Sequence, residues 1–380
     1  MYFVSFFFAL GFAFLDVFIT IDAASLGMQE LMHYMTAKFA LITLLIMGAL
    51  QIMGRIGDRV FYTLMGSITV GSFIYIVLKG GDISSLEAGV FYAVFVAPFW
   101  AIYHIMFATA TSDSNIGNEV SLAGTGMTVG MTFGSVMGGF CSQLGLETIG
   151  AIIGFGIVGS STASLIYRAI KTGLIGKLRQ SGAIDEGLFA ALKRCKYRSV
   201  GSFLEGLFNI ICGNFWMVYL RLAGISAAGV GIWHSLMVVS KVIVTPFAGS
   251  LVNHGKRREM VLGSGLNLLG WTPFLFGAKS FFVLASMNLW AIGTHLFSTG
   301  LSSAWYGSRT IAAITVREGI MGVSRVGIIF VLTPVLYADP DTFIKVTIII
   351  CALTVVYSAL WMRSTRMKGS VLPIENIVMN

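Results

Sequence analysis

FAGSLVNHGKRREM, residues Phe247 to Met260, joins an apolar run to three adjacent cations in a chain where only 11% of residues are charged. A fainter copy, MGRIGDRVFYTL, runs from Met53 to Leu64, so that Gly54 and Gly249 stand 195 residues apart in a chain of 380. The same turn-and-charge pattern, met twice at about half the chain length, is the mark of an internal duplication. The apolar stretches around the two copies define what is duplicated.

The chain is 56% hydrophobic and 13% aromatic, with a mean hydropathy of +0.85, against roughly 45–50% apolar residues in soluble proteins. Crossing a bilayer takes about 20 apolar residues. Twelve such stretches follow one another, near 2–23, 36–53, 62–79, 87–109, 119–140, 146–168, 199–222, 227–250, 260–277, 281–306, 319–337 and 342–362. Lipid offers backbone amides no partner, so continuous spans of this length are helices; barrel strands are about 10 residues long and alternate in polarity. The expected fold class is an all-α polytopic membrane protein with twelve transmembrane helices. No basic segment precedes the first span and Asp16 interrupts it, which reads as a retained helix and not a cleaved signal peptide.

The net charge of +8 could suggest a nucleic-acid partner, but its distribution points to the membrane. With the N-terminus in the cytoplasm, most lysines and arginines fall on inner loops: Arg55 and Arg59, the basic residues of 167–198, Lys256, Arg257 and Arg258, Arg309 and Arg317, and Arg363, Arg366 and Lys368. Lys38, Lys79, Arg221, Lys279 and Lys345 fall outside. This is the positive-inside pattern. It predicts a multi-pass protein of the cytoplasmic (inner) membrane with both termini cytoplasmic and no nucleic-acid partner. The four cysteines, Cys141, Cys195, Cys212 and Cys351, form no CxxC pair and carry no metal or redox signal.

One long polar segment, Tyr167 to Arg198, divides the spans six and six. The expected organisation is an N-terminal six-helix bundle (1–168), a cytoplasmic basic linker (169–198) and a C-terminal six-helix bundle with a short tail (199–380). Pieces of the linker, LIGKLRQ and EGLFAALKR, read either as amphipathic helices on the inner leaflet or as a solvated connection. The Gly54–Arg59 and Gly249–Arg258 stretches each join the second and third span of a half. Glycine suits their tight turns, and Asp58 and Asn253 are placed to cap the helix that follows.

These residues resemble the loop signature of the major facilitator superfamily, written G-x-x-x-D-x-x-G-R-R-x. Gly249, Asn253, Gly255, Lys256, Arg257 and Arg258 look like it, with Asn253 for the acid, whereas Gly54, Asp58 and Arg59 match its first part before Val60, Phe61 and Tyr62 depart from it. The resemblance implies two pseudo-symmetric bundles that rock about a central site, with both loops as gating elements. In span five, Gly130, Gly134, Ser135, Gly138 and Gly139 are similar to the family's antiporter motif G-x-x-x-G-P-x-x-G-G, with Ser135 in place of proline. Small residues at that spacing also serve close helix packing in lipid.

Ionisable groups inside a span cost roughly 2.5–3.5 kcal/mol at the helix centre and mark pathways or pairs. Asp16 in span one shares a face with Thr20; Glu205 in span seven shares a stripe with Asn209 and Cys212. The resemblance turns both carboxylates toward a central cavity, where Asp16 is the first candidate proton carrier and Glu205 is either a second carrier or an interfacial cap. His104 in span four and His295 in span ten are candidate proton-shuttling groups or packing residues. Trp100 and Tyr103 are candidate substrate contacts or packing and interfacial residues, and Asn209 and Asn288 are candidate substrate contacts. Lys241 in span eight and Arg325 in span eleven read either as ligands for an anionic substrate or as partners of Glu205 or Asp16.

No GxxxxGK[ST] loop is present, so ATP is not the expected energy source. No nucleophile and base stand at catalytic spacing, so no catalytic residue, enzyme activity or cofactor is expected. The sequence reads as a secondary active transporter of a small solute, coupled to protons and working by alternating access, with a slight lean to antiport and export. The alternative is a non-transporting assembly or scaffold protein of the same fold.

Overall fold

The computed structural model describes residues 2–53, 55–56, 58–79, 82–110, 116–176, 186–253, 258–276, 281–308 and 310–367, and these are helical almost throughout. Six long helices precede the linker: α1 (Tyr2–Leu26), α2 (Met28–Met53), α3 (Asp58–Leu78), α4 (Ser85–Ala110), α5 (Ile116–Gln143) and α6 (Glu147–Thr172). The linker contains a short helix, α7 (Leu188–Arg194). Six more follow: α8 (Lys196–Leu222), then α9 (Ala227–Asn253), α10 (Arg258–Trp271), α11 (Phe281–Tyr306), α12 (Ile311–Ala338) and α13 (Pro340–Met367). Among the described residues, nine of these helices are long and apolar enough to cross a membrane. Of the others, α5 is diluted by glycine and threonine, and α10 gives way to a 3₁₀ turn, Thr272–Phe276, that contains Pro273. The chain is a multi-pass membrane protein with two pseudo-symmetric sets of six helices.

The first two turns of the two sets share their chemistry. Gly27 between α1 and α2 has φ 122° and Gly224 between α8 and α9 has φ 86°, a left-handed region that glycine enters without penalty. Such turns make successive helices antiparallel. Consequently the ends of α2, α4, α9 and α11 and the starts of α8 and α12 lie at the face that carries the start of α1, here the terminal face. Gln51 near the end of α2 donates to Thr315 near the start of α12 at 3.4 Å, and Arg198 of α8 bonds Ser308 beside it. At the opposite face the Tyr337 hydroxyl at the end of α12 donates to the Ala24 carbonyl of α1 at 2.9 Å.

Burial separates lining helices from lipid-facing ones. In its most apolar stretch α3 is only 22% buried, whereas α4 and α8 are each 72% buried; exposed Leu44, Ile74, Phe133, Ile243 and Leu353 present apolar surface to the bilayer. The most extensive packing between the halves is of α5 with α9 and of α2 with α12. The glycines of α5 explain the first. A Cβ on Gly130, Gly134 or Gly138 would strike the carbonyls of Phe6, Leu10 and Phe14 in α1. One on Gly139 would meet the Ala227 carbonyl at 2.7 Å and Gly231 Cα of α9 at 2.9 Å. Small residues therefore let α5 sit with its backbone against two neighbours at once.

Three sequence expectations are corrected. Asn253 is the last residue of α9 and does not precede α10 as a cap, because the helix runs on through buried Gly249. Lys38 is an interior residue of α2, and Arg317 lies within α12, so neither belongs to a loop. Of the gating residues, Gly54, Gly255, Lys256 and Arg257 lie outside the described residues, as do the side chains of Asp58, Arg59 and Asn253; Asp58 opens α3, and exposed Arg258 opens α10.

Candidate functional site

Between the two sets of helices lies a cavity of about 390 Å³, in the lower part of the range of roughly 300–1,000 Å³ that small-molecule pockets occupy. Of the residues singled out in the sequence, Asp16, Trp100, Tyr103, His104, Glu205, Asn209, Lys241, His295 and Arg325 all line it. Asn288 does not. The lining mixes rings and charges: Phe12, Phe39, Trp100 and Tyr103 form apolar wall between ionisable groups.

Asp16 sits halfway along α1. Its Oδ1 accepts from Lys38 of α2, which forms an ion pair with it, and from the Asn214 amide of α8 at 2.8 Å. Asn214 also reaches Thr20, one turn on in α1, at 3.3 Å. One oxygen therefore ties α1 to α2 within a half and to α8 across the halves, while Oδ2 has no hydrogen-bond partner among the described residues. The Lys38 side chain is 1% exposed and its ammonium lies 4.2 Å from the ring centre of Tyr92, 4.7 Å from Phe39 and 5.2 Å from Tyr34, contacts that partly replace lost water. Asn214 reaches Asp16 from a π turn, Ile211–Phe215, inside α8. Such single turns re-aim side chains and recur at functional sites.

Glu205 forms a second site nearer the terminal face. It is 3% exposed, and Arg317 of α12 donates to both its oxygens, at 3.1 and 3.3 Å. Ser298 of α11 donates to Glu205 at 2.5 Å. The interfacial-cap reading of Glu205 is thereby corrected, because a capping carboxylate would face water. Arg317 also bonds Glu318 at 3.1 Å and Ser302 at 3.0 Å. Glu318 in turn lies 3.3 Å from Nε2 of His104, whose Nδ1 meets the Tyr306 hydroxyl at 2.7 Å. If Nε2 donates to the carboxylate, Nδ1 of a neutral ring accepts from Tyr306. His104 of α4 thus joins the first half to a cluster built by the second.

The remaining groups stand apart. His234 of α9 meets Ser135 of α5 at 2.7 Å, a bond between halves, and His295 meets Thr245 at 3.0 Å. The side chains of Lys241 and Arg325 make no ion pair or hydrogen bond among the described residues; Arg325 lies over the Phe39 ring at 5.8 Å. The partners of Asp16 and Glu205 are Lys38 and Arg317, not Lys241 and Arg325.

Sequence reading passed over Lys38, Asn214, Arg317 and Glu318. Asn214 had a signal, since it stands two residues after Cys212 in a span already marked by Glu205 and Asn209, but a regular helix would not aim it at Asp16.

No family model matches the chain, and no curated protein is similar to it in sequence. Solved structures are similar in fold. The human organic anion transporter MFSD10 aligns with a TM-score of 0.65 at 12% identity, over 94% of this chain and 99% of its own. A POT family transporter in complex with a thioalcohol-conjugated peptide gives 0.63 at 13% identity, over 96% and 95%. The Escherichia coli fucose:proton symporter FucP, described as a Major Facilitator Superfamily transporter, gives 0.62 at 12% identity, over 94% and 97%. Their likeness extends over nearly the whole length of each chain, and together with the paired six-helix sets and the cavity between them it shows that this protein has the major facilitator transporter fold.

Proposed function

We propose that the protein is a secondary transporter that carries a small solute by alternating access, with the halves 1–168 and 199–380 moving about the central cavity and protons coupled through Asp16. The observation that carries this reading is the double use of Asp16 Oδ1 by Lys38 and Asn214. A proton on this carboxyl would weaken the ion pair inside one half and the tie between halves together, which links titration to rearrangement. The free Oδ2, in the cavity wall, is where the proton would land. His104 and Glu318 form a second titratable contact between the halves.

The excess of cations toward the terminal face supports a cytoplasmic membrane protein with both termini inside. The cargoes named for the similar structures are an organic anion, a peptide and fucose, so none is carried over. The glycine series of α5, which gave the lean to antiport and export, is accounted for by packing against α1 and α9, and the proposal therefore assigns no direction. A scaffold has no use for a charged, solute-sized cavity, so the alternative role takes no support from it.

In proteoliposomes, a pH gradient should drive solute flux in the wild type, and Asp16→Asn should abolish the response to the gradient. A gradient response of wild-type size in Asp16→Asn would remove this carboxyl from the mechanism.

A further inference from the structure

Resting on the reading of the cavity as a transport site, we infer that its cargo is a monoanionic organic acid whose carboxylate is received by Lys241, with Arg325 as a second contact. The charges of the cavity wall do not balance. Among the described residues that line the cavity, the acids are Asp16, Glu205 and Glu318, and each already has a basic partner. Lys38 is matched to Asp16, and Arg317 serves both glutamates. Arg325 sits in the field of the same two glutamates without touching them, so this group of four is neutral while His104 is neutral. One positive charge is left over, and it is Lys241.

The surroundings of Lys241 do not neutralise it. Its electrostatic neighbours are His234, His295 and Cys212, none of them a carboxylate, and each is hydrogen-bonded elsewhere: His234 with Ser135 at 2.7 Å, His295 with Thr245 at 3.0 Å, and the Cys212 sulfur with the Trp290 indole N–H at 2.5 Å. A lone ammonium in a low-dielectric wall is costly, and such groups are kept where they pair or act. Lys241 is mid-helix in α9, too far from either end to reach the interface. No described side chain supplies its counter-charge, which leaves that place to a bound anion. A single surplus cation matches a single anionic group, and the apolar wall of Phe12, Phe39 and Trp100 offers surface for a carbon body. The cavity of about 390 Å³ admits a compact acid and excludes a large conjugate. Arg325 contributes through its guanidinium, whose Nε is buried without a partner.

The test uses the full chain in detergent, melted with benzoate, cyclohexanecarboxylate and 2-oxoglutarate monoester, each beside its amide, and with chloride and phosphate alone. At least one carboxylate should raise the melting temperature by roughly 5 °C or more at saturation, its amide should not, and Lys241→Met should lose the shift. Without ligand, Lys241→Met should melt at or above the wild type, because it removes an unpaired charge. Four results overturn the inference: no carboxylate outperforms its amide, chloride does as well as the best acid, the shift survives in Lys241→Met, or the ligand-free variant melts well below the wild type. Uptake into proteoliposomes separates the two readings. Stabilisation by an acid that is never carried leaves the anion site standing and removes transport, whereas carriage of the amides without preference for the acids does the reverse.

Discussion

With 1% of its side chain exposed, Lys38 keeps its charge in the bilayer core through Asp16 and three aromatic faces, so the two residues stand or fall together. Removing one partner of a buried pair leaves the other uncompensated and costs about 3–5 kcal/mol. Asp16→Asn should therefore lower stability by about that amount in detergent unfolding, and adding Lys38→Met should recover most of it; additive losses in the double variant would mean that the pair is not coupled. The unequal legibility of these two residues has a physical cause. Asp16 is visible because it interrupts an unbroken apolar run. Lys38 follows Gln29, Glu30 and His33, whose polarity hides the first turns of α2, so that an interior cation looks like a rim residue. Arg317 and Glu318 hide the start of α12 in the same way, since hydropathy counts two charges where the fold has a closed pair.

Among the helices, α5 makes the strictest demand on its sequence, and its glycines divide by neighbour. Gly134 faces α1 in the same half, and Gly139 faces α9 in the other. Gly134→Leu should destabilise the protein by about 1–3 kcal/mol through overpacking, while Gly139→Leu should reduce flux more than it reduces the melting temperature, because it spreads the joint between halves. Equal effects of the two on both measurements would contradict this division. The linker behaves as a separate element. Partial burial pushes the Glu186 carboxyl up, but hydrogen bonds from Arg194, at 2.6 and 2.8 Å, and from Thr310, at 2.5 Å, outweigh it and hold the group below the usual carboxylate range. A carboxyl lowered in the folded state stabilises above its unfolded value, and the contribution is lost as pH falls through the folded one. Hydrogen-exchange protection of α7, corrected for intrinsic rate, should accordingly drop on acidification below about pH 4. Glu186→Gln should show low protection throughout, without the pH step. The sequence marked this linker by its polarity, but its clasp on the start of α12 depends on a contact across 124 positions.

For the whole molecule, contacts between the halves at both faces make alternating access testable by tying each face in turn. In a background without native cysteines, a short reducible thiol-specific reagent should cross-link Gln51→Cys to Thr315→Cys at the terminal face, and Ala24→Cys to Tyr337→Cys at the opposite one. Either bond should stop flux, reduction should restore it, and continued flux through a fully cross-linked sample would rule out the rocking motion. The architecture was legible at this scale because twelve apolar stretches and a repeated loop are properties of the chain itself. The cavity's pairings were not, since they join residues as far apart as His104 and Glu318, and one of them passes through a π turn that no periodicity announces. The backbone joint between Gly139 and Gly231 also has a mechanical meaning. With no side chains to compress, it can roll but cannot shorten, and from Gly139 to Val120 the helix forms a lever of about 28 Å. A roll of about 10° at that pivot swings the far end by roughly 5 Å, more than the reach of a hydrogen bond. A small rotation at one rim is thus enough to unfasten the other.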